Sequence, residues 1–135
     1  MLRKLMREQI EGVVICPSNP YVSIAPILSV REIREWLRKR DFPVVAVSPI
    51  VGGAALKGPA AKMMCELDAE ASALGVARHY GDQVDGWVID QVDAHLATTI
   101  AAAGPRVICT DTIMKNRAKS VALARRVITF TRSLY

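Results

Sequence analysis

The stretch VVICPSNP, residues 13–20, is the clearest indication of the fold class of this chain, because a short apolar run ends there in small polar residues and prolines. An apolar run without polar alternation is typical of a strand buried on both faces of a parallel sheet. In open α/β sheets, ligands bind at the carboxyl ends of such strands. The stretch therefore predicts a strand over 12–16 and a ligand-binding loop directly after it.

Three more runs rich in Val and Ile follow along the chain, and each one ends in a polar loop. The predicted strands cover residues 12–16, 44–48, 86–90 and 106–110. Helical patterns separate them, and the predicted helices cover residues 29–40, 60–74, 92–103 and 117–133. Alternating strands and helices favour parallel βαβ units. We therefore predict a single α/β unit over 1–135 whose binding loops share one edge of the sheet.

Two of these helices carry apolar residues at helical spacing. In the helix over 29–40, Trp36 lies on the apolar stripe, so we expect it in the core. The helix over 117–133 is expected to lie on the sheet through Val121, Leu123, Ala124, Val127, Ile128 and Phe130.

The composition excludes several classes of protein. With 51% hydrophobic and 23% charged residues, the chain is an ordinary globular domain. Its apolar runs are shorter than the roughly 20 residues of a membrane span, and the apolar stretch near its start is too short for a secretory signal. We therefore expect a cytoplasmic protein with no membrane segment. Cys16, Cys65 and Cys109 stand far apart without a CxxC pair, which favours reduced thiols over a zinc site or disulfides.

The net charge of +5 leaves the kind of partner open. A nucleic-acid module is disfavoured, because only 5% of the residues are aromatic and the charges lie on amphipathic stretches. Attraction of a phosphorylated small molecule would explain the charge equally well. A solvated basic surface is the simplest interpretation.

The loop after the second predicted strand has the features of a phosphate site. Glycines at 52 and 53 let backbone N–H groups approach an anion, and Lys57 supplies a cation just before a helix that Pro59 is suited to begin. The Walker A spacing is absent, so a purely structural turn is the alternative. The candidate phosphate-binding residues here are Ser48, Gly52, Gly53, Lys57 and Gly58.

The first loop offers hydroxyl and amide groups on a backbone that two prolines hold in a non-helical path. Its candidate binding residues are Ser18, Asn19, Pro20 and Ser23. Helix capping is the alternative role for Ser and Asn. His79 and His95 have no partner evident in the sequence, so we expect core or surface roles for both.

The third and fourth loops carry carboxylates. Asp90 and Asp93 follow the third strand, while Asp111 and Thr112 follow the fourth. Paired carboxylates can hold Mg²⁺ together with phosphate oxygens, but an Asp before a helix more often serves as a cap. We therefore assign no metal ligand and no catalytic residue, and keep Asp111 and Thr112 as substrate-binding candidates.

The start of the chain has an unusual pattern. Residues 1–9 predict the last turns of a helix, with no strand and no glycine-rich loop before it. We therefore expect a fold that lacks its N-terminal half, as a truncated unit, a reduced paralogue or a half completed by a partner.

Several long strings resemble the 2-phospho-L-lactate transferase family, also named for phosphoenolpyruvate transfer. They are ICPSNPYVSIAPIL at 15–28, VSPIVGGAALKGPAAKMM at 47–64, SALGVARHY at 72–80, DGWVID at 85–90 and TDTIM at 110–114. The resemblance covers nearly the whole chain in order but only the C-terminal half of the family's length. The gluconeogenesis-factor family shares the fold, yet the segment KGPAAKMM favours the transferase.

This resemblance implies a Rossmann-like α/β/α fold and a phosphotransferase of coenzyme F-420 biosynthesis. Such an enzyme moves 2-phospholactate or phosphoenolpyruvate from a guanylyl-diphospho donor to the deazaflavin Fo and releases GMP. It also implies Mg²⁺, whose ligands we expect in the N-terminal half, and a homodimer. By the same resemblance, Gly52, Gly53 and Lys57 hold donor phosphates, while Ser18, Asn19 and Ser23 orient donor or acceptor. A remnant without catalysis, or a nucleotide-binding subunit completed by a partner, is the alternative.

Overall fold

Four parallel strands form the central sheet. The computed structural model describes residues 10–55 and 58–135. In chain order the strands are β1 (Val13–Ile15), β2 (Val44–Val47), β3 (Ile50–Val51), β4 (Ala54–Ala55), β5 (Gly86–Asp90) and β6 (Arg106–Thr110). Strands β1, β2, β5 and β6 lie in that order in the sheet, and each neighbouring pair is parallel. The four strands predicted from the sequence are therefore confirmed.

Helices connect these strands. They are α1 (Ala25–Ser29), α2 (Arg31–Arg38), α3 (Ala60–Glu66), α4 (Ala73–Tyr80), α5 (Ala97–Ala101) and α6 (Arg117–Arg132). A π-helical turn over Pro20–Ile24 leads into α1, and 3₁₀ turns over Gly81–Gln83 and Gln91–Leu96 lie on either side of β5. The predicted helix over 1–9 and the candidate Lys57 lie outside the described residues.

The single helix predicted over 60–74 is wrong, because two helices occupy this region. Helix α3 ends at Glu66, and Asp68 adopts a left-handed backbone conformation with φ of 55°. A right-handed helix cannot continue through such a residue. Ser72 then begins α4, where its Oγ accepts a hydrogen bond from the Gly75 N–H at 3.0 Å. The residues between 66 and 74 include good helix formers, so their propensity hid this break.

Two hydrophobic cores lie on opposite faces of the sheet. Both β2 and β5 are buried along their whole length, and their side chains alternate between the two faces. The first core contains Val44, Ala46, Trp87 and Ile89 together with Met64, Val76, Tyr80 and Ile100. The second contains Val45, Val47 and Val88 under Leu123, Val127 and Phe130 of α6. The sheet is therefore the middle of three layers, which confirms the Rossmann-like α/β/α arrangement.

Two predictions about helical side chains are confirmed only in part. Trp36 is half-buried against the first core, with its ring 5.0 Å from that of Phe42. On α6, Val121 and Ile128 remain 41% and 48% exposed although Leu123 is buried on the sheet. The apolar surface of α6 is thus wider than the contact that it makes with the sheet.

Strands β3 and β4 form a small antiparallel hairpin beside the main sheet. Its two-residue turn consists of Gly52 and Gly53, whose φ values are 58° and 79°. A type I′ turn needs positive φ at both central residues, and glycine supplies it without strain. The Gly-Gly pair therefore has a structural purpose at this position, whatever else it binds.

Candidate functional site

The polar loops predicted as binding segments follow the carboxyl ends of the four parallel strands. Because neighbouring parallel strands end at the same edge, these loops lie along one side of the sheet. Hydrogen bonds and ring contacts link each loop to a neighbouring loop or helix. We refer to this side of the molecule as the loop edge.

The first loop is held by Asn19. Its Oδ1 accepts hydrogen bonds from the N–H groups of Tyr21 and Val22 at 2.9 and 3.2 Å, which caps the π-helical turn. Its Nδ2 lies 3.4 Å from the Sδ of Met63 on α3. Asn19 therefore serves as the cap that the sequence left as an alternative, and it also joins the first loop to the helix that follows the second.

A second contact joins the first loop to α4. The rings of Tyr21 and His79 lie 4.8 Å apart and are tilted by 59°, a favourable arrangement for an aromatic pair. His79 is exposed and thus takes the surface role expected for it. Of the other candidates in this loop, Pro20 is buried, Ser18 is half-buried and Ser23 is exposed.

The second loop is tied to the third through Asp93. The N–H of Gly52 donates to both carboxylate oxygens of Asp93, at 3.0 and 3.2 Å. Asp93 is 3% exposed, so the hairpin turn rests on a buried carboxylate. Ser48 is fully buried, and its Oγ donates to the carbonyl of Ile50 at 2.9 Å. The Ser48 hydroxyl thus stabilises the backbone at the first residue of the hairpin, Ile50.

The third and fourth loops meet through Asp90 and Thr112. Both residues are almost fully buried. The N–H and Oγ1 of Thr112 donate to Asp90 Oδ2 at 2.8 and 3.0 Å, while the N–H of Val92 donates to Oδ1 at 3.0 Å. Three donors therefore occupy this carboxylate, and Asp90 braces β5 against the loop after β6.

Asp111 lies beside this brace but points toward a cation. Lys119 Nζ donates to its Oδ2 at 2.6 Å, and the N–H of Ile113 donates to its Oδ1 at 3.1 Å. The hydrogen bond from Lys119, followed by that from Ile113, lowers the pKa of Asp111. The same bond raises the pKa of Lys119. Asp111 is thus an ionised, half-exposed carboxylate whose charge α6 partly neutralises.

The surroundings of Cys109, which include two buried carboxylates, raise the pKa of its thiol. Burial is the largest cause of this rise in pKa, and the negative charges of Asp90 and Asp93 add to it. Cys109 therefore lacks the lowered pKa that is typical of an activated thiol.

The two buried carboxylates of the loop edge, those of Asp90 and Asp93, are engaged by the protein itself. Within residues 10–55 and 58–135, no group of three or more His, Cys, Asp and Glu side chains is arranged to hold a metal ion. Asp90 and Asp93 already accept hydrogen bonds from the main chain. They act as braces between loops, and the sequence prediction of Mg²⁺ remains a prediction.

An ion pair and a main-chain hydrogen bond stabilise the opposite edge of the sheet. Arg40 pairs with Asp85 at 3.1 Å, and Asp85 Oδ2 accepts the N–H of Val44 at 2.8 Å. A groove of about 530 Å³ lies here, bordered by Phe42 and Tyr135 among others.

In the described part of the chain, no helix is long and apolar enough to cross a membrane.

Sequence reasoning missed the links between the loops. The hairpin had a usable signal, because a Gly-Gly pair between apolar residues is typical of a type I′ turn. No local signal exists for the contacts of Gly52 with Asp93 or of Tyr21 with His79, which join residues far apart in the chain. Of the residues predicted to bind substrate, Gly53 and Gly58 are exposed at the loop edge. Thr112 is buried instead, where it donates to Asp90.

Comparisons with known proteins identify relatives of this chain. The sequence pattern of the family described as 2-phospho-L-lactate transferase CofD matches residues 3–128. The phosphoenolpyruvate transferase of Streptomyces griseus is 42% identical over 117 residues, which is 86% of this chain and 37% of that protein. The 2-phospho-L-lactate transferase of Methanocaldococcus jannaschii is 46% identical over 122 residues, which is 90% of this chain and 38% of that protein. The matched region lies in the C-terminal half of these relatives.

Proposed function

The chain belongs to the 2-phospho-L-lactate transferase CofD family, and from this we propose that its loop edge serves the transfer of 2-phospholactate or phosphoenolpyruvate in coenzyme F-420 biosynthesis. One observation carries the proposal. The family match over residues 3–128 includes all four loops that the fold gathers at the carboxyl ends of its parallel strands. The loop edge is also where folds of this class bind their ligands.

In finer detail, the donor is a guanylyl-diphospho acid and the acceptor is the deazaflavin Fo. A hydroxyl of Fo attacks the phosphorus that carries the acid, the bond from that phosphorus to the GMP oxygen breaks, and the hydroxyl proton leaves to solvent. Such a reaction needs from the protein mainly positioning and neutralisation of phosphate charge. The loop edge suits this task, because it presents exposed polar groups on loops that Asp90 and Asp93 connect to one another.

Three groups of the chain take part in this proposal. We assign binding of the donor phosphates to Lys57 and to the exposed glycines at 53 and 58, and orientation of donor or acceptor to the serines at 18 and 23. Gly52 contributes only if phosphate shares or replaces the Asp93 acceptor of its N–H. Asp90 and Asp93 hold no part of the donor in this proposal, because both carboxylates brace the loops.

The test measures Fo-dependent release of GMP from guanylyl-diphospho-lactate and from the enolpyruvate donor. The chain is assayed alone and together with the N-terminal part of a family member. Lys57→Ala should weaken binding of the donor by about 1.5–3 kcal/mol, the scale of a hydrogen bond to a charged group. Lys62→Ala is the matched control, because Lys62 is an exposed lysine of α3 paired with Glu66 at 3.7 Å. Equal donor affinity in both variants would contradict the phosphate role of this loop.

A nucleotide-binding subunit without its own catalysis is the second candidate. The observation that favours it is that the buried carboxylates of Asp90 and Asp93 accept main-chain N–H groups and thus have a structural role. It predicts that the donor binds, that Lys57→Ala weakens this binding, and that GMP is released only when the N-terminal part of a relative is present. A homodimer, which the family resemblance implies, would show as twice the chain mass in sedimentation equilibrium.

A further inference from the structure

An exposed apolar side chain lies among the braced loops. It is that of Val92, in the 3₁₀ turn after β5, and it is 58% exposed between Asp90 and Asp93, which are 2% and 3% exposed. We propose that Val92 and the Gly52–Gly53 turn beside it form the contact surface for the planar heteroaromatic ring of a substrate. This inference rests on the proposed function, in which the donor carries a guanine ring and the acceptor a deazaflavin ring, and it adds a residue that selects a ring.

Folding does not require a valine at this position. The backbone N–H of Val92 donates to Asp90 Oδ1 at 3.0 Å, and every amino acid except proline supplies that N–H. A β-branched side chain is also disfavoured in a helical turn, because the turn restricts its χ1 rotamers. Since single exposed apolar residues are common on protein surfaces, the surroundings of Val92 decide whether it has a role.

The backbone on both sides of Val92 is held by buried carboxylates. Asp90 accepts the N–H of Val92 itself, and the next residue, Asp93, accepts the N–H of Gly52 at 3.0 and 3.2 Å. The side chain has one torsion angle that moves its methyl groups, and branching at Cβ restricts that angle. Such a side chain loses little freedom when it contacts a ligand, so the fold presents a preorganised apolar group.

The hairpin turn next to Val92 offers a flat surface. A Cβ placed on Gly52 would lie 3.9 Å from Val92 Cγ2, so this side chain lies directly beside the turn. Gly52, Gly53 and Ala54 are all exposed, and the largest side chain among them is one methyl group. The face of a heteroaromatic ring fits peptide planes and methyl groups, because it is planar and largely apolar. Its polar edge would remain free for other partners.

The fourth loop also exposes an apolar side chain. Thr112 donates to the same carboxylate as Val92, so the third and fourth loops meet at Asp90. Met114 follows Thr112 by two residues and is 46% exposed. Methionine is flexible and polarisable, and therefore adapts to ligands of different shape. Both loops that meet at Asp90 thus expose an apolar group, as expected if this part of the loop edge contacts a ring as well as phosphates.

The test is an NMR titration of the full chain with three probes. GDP has a guanine ring and phosphates, Fo has a deazaflavin ring without phosphate, and inorganic pyrophosphate has no ring. Val92→Ala removes both γ-methyl groups but keeps the N–H, and should weaken binding of GDP or Fo by about fivefold, the scale expected for partly buried methyl groups. Pyrophosphate affinity should not change. In the wild type, NOEs should connect ring protons of the same probe to the methyl groups of Val92.

The two ring-bearing probes distinguish the two sources of the ring. A loss of affinity for GDP alone assigns the surface to guanine, and a loss for Fo alone assigns it to the deazaflavin. Val121→Ala is the matched control, because Val121 is a 41% exposed valine on α6. It should leave the affinity for all three probes unchanged.

Two results with Val92→Ala would overturn the inference. One is unchanged affinity for both GDP and Fo. The other is an equal loss for pyrophosphate and the ring-bearing probes, which would show that the substitution disturbs the loops. Lys57→Ala tests the proposed phosphate role separately, since it should weaken GDP and pyrophosphate but not Fo. If Lys57→Ala has this effect while Val92→Ala has none, the ring contact is wrong and the phosphate role stands. A wild-type chain that binds none of the three probes would contradict both.

Discussion

The two carboxylate oxygens of Asp93 accept hydrogen bonds from the N–H of Gly52, at 3.0 and 3.2 Å. These bonds connect the β3–β4 hairpin to the 3₁₀ turn after β5. A buried carboxylate would lose hydration without compensation if it had no donor. The contact therefore stabilises both segments, and it determines where the Gly-Gly turn lies relative to the rest of the loop edge.

Replacing Asp93 should loosen the hairpin. Asp93→Ala removes the acceptor of the Gly52 N–H and should lower the free energy of unfolding by about 1–3 kcal/mol. Asp93→Asn retains one oxygen for this N–H and should cost less. Urea denaturation measures both losses, and amide hydrogen exchange at Gly52 should accelerate most in the Ala variant. Equal losses would indicate that the negative charge matters rather than the acceptor.

The brace between Asp90 and Thr112 can be tested by a double-mutant cycle. Thr112→Val removes the hydroxyl donor while keeping the shape of the side chain, and should cost about 1.5–3 kcal/mol. Asp90→Asn should cost more, because one amide oxygen cannot accept all three donors that the carboxylate now accepts. The double variant should lose less than the two single losses together. Additive losses from urea denaturation would argue against a shared hydrogen bond.

Tyr80 should make stability fall at alkaline pH. Burial raises its pKa from 10.0 to about 12. Since the unfolded chain then ionises first, the stabilising contribution is complete below pH 10 and is lost as the pH rises toward 12. The loss should approach about 2 kcal/mol. Tyr80→Phe keeps the ring against Trp87, 5.8 Å away, and should show a smaller loss over this range. Identical alkaline curves for the two proteins would contradict the assignment.

Lys119 should control the ionisation of Asp111. Lys119→Met removes the hydrogen bond that contributes most to the lowered pKa, so the pKa of Asp111 should rise. Lys115→Met is the matched control, because Lys115 acts only through its charge and is the smallest of the causes. An NMR titration of the Asp111 carboxyl carbon measures both. In the wild type, the stability from this pair exists above the usual Asp pKa and is lost as the pH falls through the lowered value. An equal rise in both variants would contradict the hydrogen bond.

The sequence predicted the strands and their shared loop edge because each strand carries its own signal. Val44–Val47 and Gly86–Asp90 are compact apolar runs, and a polar loop follows each one. Periodicity and turn residues encode such features locally. The break at Asp68 was missed because surrounding helix formers outweighed one residue with an unusual backbone.

The bracing contacts could not be predicted for a different reason. Asp90 and Asp93 look alike in the sequence, as acidic residues at the start of a helical segment. Which donors they receive depends on the sheet order, which brings Gly52 to one and Thr112 to the other. The sequence pattern thus identified the residue types of the edge but could not assign their partners.

The braces have a consequence for how freely this edge can vary. Asp93 accepts from the backbone of residue 52, and Asp90 accepts from the backbone of residues 92 and 112. Any amino acid except proline offers the same N–H, so the exposed position 92 can change side chain without losing its bond. Position 52 needs a positive φ, and Thr112 also donates through its hydroxyl, so neither has this freedom. In a saturation-mutagenesis screen for folding, position 92 should therefore accept many residues, while positions 90 and 93 should accept few.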